Sequence, residues 1–121
     1  NISVQYSGLN AMKEMNAVVA ALKGMKVTSL SPFAVAAVRD YSVPSRTVCA
    51  TGEVQPIDIP ACNCVYYELE GGSFVCVRPS GTEPKLKIYY SLRAPDEATA
   101  EEKLGELKKS VDGMLGKAGK N

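Results

Sequence analysis

Three strand-like segments in the second half of the chain constrain the fold most strongly. CVYYELE, residues 64–70, is followed by Gly71-Gly72, a pair typical of a tight two-residue turn, and then by SFVCV, residues 73–77. A third run, LKIYYSLR, occupies residues 86–93. Strands joined by such short connections pair in opposite directions, so we expect a mainly antiparallel sheet.

Helical spacing appears on both sides of these strands. In residues 9–25, apolar side chains recur at spacings of three, four and seven, with Ser7 as a candidate N-cap and Gly24 near the expected end. Residues 97–116 carry acidic side chains first and lysines later, an order that complements the helix dipole. The short apolar run 34–41, bounded by prolines, predicts a further strand.

The predicted element order is α-β-β-β-β-α. Because two amphipathic helices can cover one face of a sheet, we expect an α+β fold with a four-stranded, mainly antiparallel sheet and helices packed on one face. Residues 43–61, rich in proline and without a sustained period, predict a long connection with little regular structure. Residues 1–7 are interpreted as a linker from a preceding domain, 8–116 as the domain, and 117–121 as a frayed tail. The start at Asn1 suggests a piece of something longer or a processed product.

Composition favours binding over self-contained catalysis. The 121 residues suffice for one domain, and 14 Lys+Arg against 13 Asp+Glu give a net charge of +1. That balance gives no general attraction to nucleic acid or to an anionic membrane, and no segment has the length of a membrane span. The chain has no histidine, so no side chain titrates near neutral pH unless its pKa is shifted. We therefore predict no catalytic residue.

The four cysteines are Cys49, Cys62, Cys64 and Cys76. A zinc site would normally show C-x-x-C spacing, often with histidine, and neither occurs. The favoured interpretation is small buried thiols in a reducing cytosol. Alternation along a strand would put Cys62 and Cys64 on one face, which leaves a weaker metal-binding alternative. No metal ligand is predicted.

A polar loop, RPSGTEPKLK at residues 78–87, lies between two of the strands. Arg78 ends a strand and presents paired donors that suit phosphate or carboxylate. Ser80 and Thr82 add hydroxyl donors, and Gly81 allows a tight turn that brings the backbone close to a ligand. The set suits a monophosphate.

Two features of the same loop leave its role open. Lys85 and Lys87 add positive charge, but the Glu83 carboxylate would repel a phosphate, so it must point away, pair with a lysine or hold Arg78. Pro, Ser, Gly and Thr are also common turn residues, so a β-turn whose charges only face water fits the residue types equally well. The P-loop pattern is absent.

The residues R-P-S-G-T-E-P-K at 78–85 resemble the C-terminal-domain signature of the α-D-phosphohexomutases, the phosphoglucomutase/phosphomannomutase superfamily. Their surroundings, residues 59–90, resemble that family's strand, glycine turn, strand, phosphate loop and strand. The Glu-rich segment 97–116 and the pair Asp40-Tyr41 also have counterparts in the family.

The resemblance implies both a fold and a role. Family members are magnesium-dependent isomerases with four domains around a cleft, in which a phosphoserine and a bisphosphorylated intermediate interconvert hexose 1-phosphate and hexose 6-phosphate. The fourth domain, a small antiparallel sheet flanked by helices, grips the phosphate that is not reacting. Carried over by position, the gripping residues would be Arg78, Ser80, Gly81 and Thr82, with Lys87 as a further candidate.

The resemblance is strongest over residues 59–116 and looser over 8–58. The chain has neither the family's serine phosphorylation loop nor its aspartate-rich metal loop, so this chain alone should be inactive and hold no cofactor. The implied partners are a hexose phosphate and the parent's other domains, in the cytoplasm. Residues 84–89, PKLKIY, resemble the glucose/mannose-phosphate branch without choosing between the sugars.

The alternative is a different class of function. An α+β module that binds nucleic acid, or only another protein, would have no catalytic role. Exposed tyrosines on a sheet could stack on bases. The nearly neutral charge and the lack of a basic stripe disfavour nucleic acid, so neither a nucleic-acid nor a membrane partner is predicted.

Overall fold

A computed structural model describes residues 2–5, 8, 10–80 and 83–119, and for 2–5 it describes the backbone only. Within these residues the chain forms eight strands and two helices. They are, in order, β1 (Ile2–Gln5), α1 (Ala11–Gly24), β2 (Ser29–Leu30), β3 (Phe33–Asp40), β4 (Ser45–Val48), β5 (Val54–Pro56), β6 (Val65–Leu69), β7 (Phe74–Pro79), β8 (Lys85–Ser91) and α2 (Glu97–Gly119).

The strands form one antiparallel sheet in the order β1-β8-β7-β6-β3-β4-β5, with β2 paired to β3 beside this path. The predicted α+β class and antiparallel sheet are confirmed. The predicted count of four strands was too low, because β1, β2, β4 and β5 also pair.

The prediction of an irregular connection over residues 43–61 was wrong. It contains β4, which pairs with β3 from Asp40 opposite Ser45, and β5, which pairs with β4. Both strands are short and partly polar, so their own pattern is weak. Their pairing follows from the neighbouring β3, and Pro56 is tolerated because β5 lies at the sheet edge.

The predicted element boundaries agree with the structure in part. Helix α1 ends at Gly24, as expected, while the proposed cap Ser7 lies outside the described residues. Within the predicted linker 1–7, β1 pairs with β8, so this segment extends the sheet. Helix α2 continues to Gly119, so residues 117–119 are helical. The division into linker, domain and tail stays a prediction.

The turn between β6 and β7 is one residue longer than predicted. Leu69 N–H donates to the Ser73 carbonyl at 2.9 Å, which leaves Glu70, Gly71 and Gly72 in the loop. Both glycines have φ near +85°, at 84° and 85°, where side chains are strained. This length sets the register of the two strands.

One face of the sheet and both helices enclose a single core. Alternate residues of the three central hairpin strands point into it and are buried: Val65, Tyr67, Leu69, Val75, Val77, Leu86 and Ile88. The helices supply Met15, Val18, Val19, Leu22, Leu107, Val111, Met114 and Leu115. The prediction that both helices cover one face is thus confirmed.

The opposite face, called the open face, carries side chains that are half-buried or exposed. They are Arg39, Arg46, Tyr66, Glu68, Phe74, Cys76, Arg78, Lys87 and Tyr89. Residues opposite one another in a sheet share a face, so the strand register fixes which of these side chains are neighbours.

A charged network on the open face ties four strands together. Glu68 of β6 accepts hydrogen bonds from Arg39 Nε at 2.7 Å and from Arg46 Nη2 at 3.0 Å. Arg46 Nη1 donates to the Gln55 amide oxygen at 3.0 Å, and Arg39 Nη1 donates to the Tyr41 hydroxyl at 2.8 Å. The hydrogen bonds from the two guanidiniums, that of Arg46 above all, lower the pKa of Glu68.

We expect Glu68→Gln to lower the free energy of unfolding by about 1–2 kcal/mol, since an amide cannot neutralise two guanidiniums that β3 and β4 hold opposite one another. Chemical denaturation at neutral pH measures this. Glu70→Gln is the matched control: Glu70 is exposed and outside the network, so its effect should stay within about 0.5 kcal/mol. Equal effects of both substitutions would contradict the role of the network.

The wild type and the Glu68→Gln variant also provide a test by pH. Because the folded pKa of Glu68 lies below its ordinary value of 4.5, the stabilisation is fully present above that value and is lost as pH falls through the folded pKa. The stability difference between wild type and Glu68→Gln should therefore be constant from neutral pH down to about 5 and shrink at lower pH. A difference that grows on acidification would contradict it.

Tyr67 offers a test of the core. Its side chain is fully buried, and its hydroxyl has no hydrogen-bond partner among the described residues. Removing an unpaired buried hydroxyl should relieve its desolvation cost, so we expect Tyr67→Phe to raise the free energy of unfolding by about 0.5–1 kcal/mol. Denaturant unfolding measures the change, and a loss of more than about 1 kcal/mol would mean that the hydroxyl is bonded.

Candidate phosphate-binding site

Arg78 is the penultimate residue of β7 and projects from the open face. Its Cα partner on β8 is Lys87, and its side chain is exposed. Strand β7 lies between β6 and β8, so the arginine's backbone is held within the sheet. The backbone that carries this guanidinium therefore needs no ordering when a planar or tetrahedral anion binds.

Short backbone hydrogen bonds close the loop that follows. Ser80 N–H donates to the Lys85 carbonyl at 2.9 Å, and Lys85 N–H donates to the Glu83 carbonyl at 2.8 Å. Ser80 is half-buried at the base of this loop. The predicted site residues Gly81 and Thr82 lie outside the described residues. The structure therefore places Arg78 opposite Lys87, with Ser80 two residues farther along the chain from Arg78.

Positive charge is concentrated at this end of the sheet. Arg78 and Lys87 are directly opposed, an arrangement that is unfavourable for like charges. None of the salt bridges between described residues involves either of them. The Glu83 carboxylate lies 3.8 Å from Lys85 Nζ, so pairing with a lysine is the role that the geometry gives it. An anion near Arg78 and Lys87 would relieve their repulsion.

The arrangement can bind and orient an anion. Arg78 offers several N–H donors in a fixed plane, Lys87 a point charge and Ser80 a hydroxyl that can donate. These three residues supply binding rather than a nucleophile with its base.

The charged network of Arg39, Arg46 and Glu68 was missed by sequence analysis, although it lies on the same face. Next to it, the rings of Tyr66 and Phe74 stack at 4.7 Å between centroids, and the Arg39 guanidinium lies 4.7 Å from the centre of the Tyr66 ring. A weak signal was available: Ser45–Val48 ends in two β-branched residues, Thr47 and Val48, only a few residues after β3. The interpretation of 43–61 as irregular concealed it.

A cavity of about 570 Å³ lies elsewhere, between the C-terminal end of α1 and β4. Lys23 contributes to its lining, but its Nζ donates to Asn63 Oδ1 at 2.8 Å and lies 4.0 Å from Asp40. Lys23 is already paired, so Lys26 is the one lysine of the lining outside the salt bridges, whereas Arg78 and Lys87 are two directly opposed cations outside them. The loop between β7 and β8 is therefore the better candidate for an anion.

No group of three or more His, Cys, Asp or Glu side chains that could hold a metal ion occurs in the described part of the chain. Over the same residues, no helix combines the length and apolar character needed to cross a bilayer.

Staphylococcal phosphoglucomutases are among the similar proteins. The chain is 31% identical over 96 residues to the Staphylococcus saprophyticus phosphoglucomutase, covering 78% of this chain and 17% of the relative. It is 32% identical over 91 residues to that of Staphylococcus haemolyticus (75% and 16%), and 28% identical over 100 residues to that of Staphylococcus aureus strain bovine RF122 / ET3-1 (83% and 18%). The chain thus spans less than a fifth of the length of these relatives.

No solved structure shows a significant match. The model of one protein family does match, over residues 10–112, and its description is "Phosphoglucomutase/phosphomannomutase, C-terminal domain". The matched range includes both helices in large part, the strands β2 to β8 and the loop after Arg78. The chain belongs to the phosphoglucomutase/phosphomannomutase C-terminal domain family.

Proposed function

We propose that this chain is the substrate-phosphate-binding domain of a phosphohexomutase, and that it grips the phosphate that is not being transferred. The parent enzyme would interconvert hexose 1-phosphate and hexose 6-phosphate through a phosphoserine and a bisphosphorylated intermediate. The observation that carries the proposal is the sheet-held pair of Arg78 and Lys87, which directly oppose one another on the open face. Family membership supports the same role.

The chemistry of these residues suits binding of a phosphate and not its transfer. Arg78, Ser80 and Lys87 supply donors and charge for a bound phosphate. Interactions with a non-reacting group hold a substrate in position while other groups react with it. In the proposed cycle the intermediate turns over in the cleft, so this domain must accept either end of the sugar. A site built on cations, which recognises phosphate and not the ring, suits that requirement.

The remaining parts of the reaction belong to other domains of the proposed parent. The phosphoserine would come from there, so the isolated chain should bind substrate weakly and not turn it over. The described residues do not fit a metal site, so the expected magnesium would also be held outside them. The parent is proposed to work in the cytoplasm. Because the relatives are named phosphoglucomutases, glucose phosphate is the substrate to test first, with mannose phosphate second.

The alternative of a nucleic-acid-binding or protein-interaction module is not favoured. Binding of bases would need exposed tyrosines on the sheet, but Tyr66 is half-buried, its ring stacks on Phe74 and the Arg39 guanidinium lies over it. Family membership also points to a sugar-phosphate enzyme.

The proposal predicts a localised response to phosphate. In a titration of the labelled chain with glucose 1-phosphate or inorganic phosphate, monitored by amide NMR, the amides of Ser80, Gly81 and Thr82 should shift together, with a dissociation constant in the millimolar range. Arg78→Ala should weaken this binding by about tenfold or more, since a charge-assisted bidentate contact is worth about 1.5–3 kcal/mol.

Arg93→Ala is the matched control. Arg93 is an exposed arginine two residues after the last residue of β8, whereas Lys87 lies near the start of that strand. Removing Arg93 changes the net charge by the same amount as removing Arg78. Binding should change by less than about twofold, as expected for a distant surface charge. If both variants lose affinity equally, the binding is non-specific. If Arg78→Ala binds like wild type, the proposed grip is wrong.

A further inference from the structure

Two thiols meet on the open face of the sheet. Cys64 immediately precedes β6, Cys76 lies in the middle of β7, and their sulfur atoms are 2.9 Å apart. Two backbone hydrogen bonds fix the approach to Cys64: Tyr41 N–H donates to the Cys64 carbonyl at 3.0 Å, and Cys62 N–H donates to the Tyr41 carbonyl at 3.0 Å. Both cysteines are free thiols.

Strand pairing positions Cys76, and the backbone hydrogen bond from Tyr41 positions Cys64. Cys76 is paired on one side with Tyr66 and on the other with Tyr89. Cys64 is buried, at 6% exposure, whereas Cys76 is half-buried. A reagent from solvent therefore reaches Cys76 more readily, and the second sulfur is already in contact with it.

We propose that Cys64 and Cys76 are a modification site, at which a hydroperoxide forms a reversible intramolecular disulfide. The Cys76 thiolate attacks one peroxide oxygen, the O–O bond breaks, and the leaving hydroxide or alkoxide takes up a proton. The Cys64 thiol then attacks the sulfur of the resulting sulfenic acid, the S–O bond breaks and water leaves. Two thiols are oxidised, and one peroxide is reduced to water and, for an alkyl hydroperoxide, an alcohol.

The environment distinguishes the two sulfurs. The hydrogen bond between the two thiols lowers the pKa of Cys76, whereas the Arg78 guanidinium acts to lower the pKa of both sulfurs. The same hydrogen bond, together with burial, raises the pKa of Cys64. Because Cys76 is also the more exposed of the two, we assign it as the attacking thiol and Cys64 as the resolving thiol.

The two other cysteines of the chain, Cys49 and Cys62, can be compared with Cys76. Cys49 is half-buried like Cys76, but its sulfur donates to the Val27 carbonyl at 3.7 Å, and burial raises its pKa. Cys62 is exposed and two residues from Cys64, so it is the natural competitor for the disulfide. Accessibility alone would favour Cys62, and the sulfur–sulfur contact favours Cys76.

Formation of the bond would link the start of β6 to β7 two residues before Arg78. The oxidised chain would then carry a cross-link beside the site of the proposed phosphate grip. This consequence rests on the proposed function, whereas the disulfide itself does not.

The test is peroxide treatment of the intact chain, followed by peptide mapping by mass spectrometry without reduction. We expect the chain to lose two hydrogen atoms, a linked peptide pair containing Cys64 and Cys76, and full reversal by dithiothreitol. The Cys49→Ser/Cys62→Ser double variant should form the same bond at the same rate. No linked pair, or linkage of Cys62 instead, would overturn the proposal.

Single variants test the order of the steps. In Cys64→Ser, a 1,3-dione trap should label Cys76 as a sulfenic acid, about tenfold or more faster than Cys49. In Cys76→Ser, the disulfide should be absent and Cys64 should remain unlabelled. Labelling of Cys64 at the rate seen for Cys76 would overturn the assigned roles. None of these measurements uses phosphate, so they stand or fall independently of the phosphate grip.

Discussion

The pairing of β7 with β8 is the interaction on which the rest of this structure depends. Its register puts Val77 opposite Ile88 on the face covered by the helices, and the next pair, Arg78 opposite Lys87, on the open face. A slip of one residue would move the apolar side chains to solvent and the cations into the core. The burial that folds the domain therefore also fixes the candidate site.

The free energies of burial and of charge repulsion explain why Arg78 and Lys87 can be held side by side. Burying Val77 and Ile88 contributes about 1.5–3 kcal/mol each, whereas a directly opposed like-charge pair costs about 1 kcal/mol or less. The core outweighs the repulsion, so the cations stay together without an anion. The same logic applies to Arg39 and Arg46, whose repulsion is offset by Glu68 within the chain. At Arg78 the described residues supply no such carboxylate.

Local patterns predicted those parts of the fold that are specified locally. Alternation gave β6, β7 and β8, and helical spacing gave α1 and α2. Strands β4 and β5 were missed because pairing with β3, and not their own composition, makes them strands. In the candidate site, Arg78, Ser80 and Lys87 are close in sequence and could be predicted. The Cys64–Cys76 contact could not be predicted. The predicted two-residue turn would have put Cys76 opposite Tyr67, whereas the longer loop puts it opposite Tyr66.

The central claim is that the end of the β7–β8 hairpin holds a substrate phosphate. A crystal structure of this chain with glucose 1-phosphate tests it most directly. We expect phosphate density within hydrogen-bond distance of the Arg78 guanidinium and the Ser80 hydroxyl, with Lys87 Nζ nearby and no specific contact to the sugar ring. Phosphate bound in the cavity between α1 and β4, with Arg78 still facing solvent, would contradict this claim.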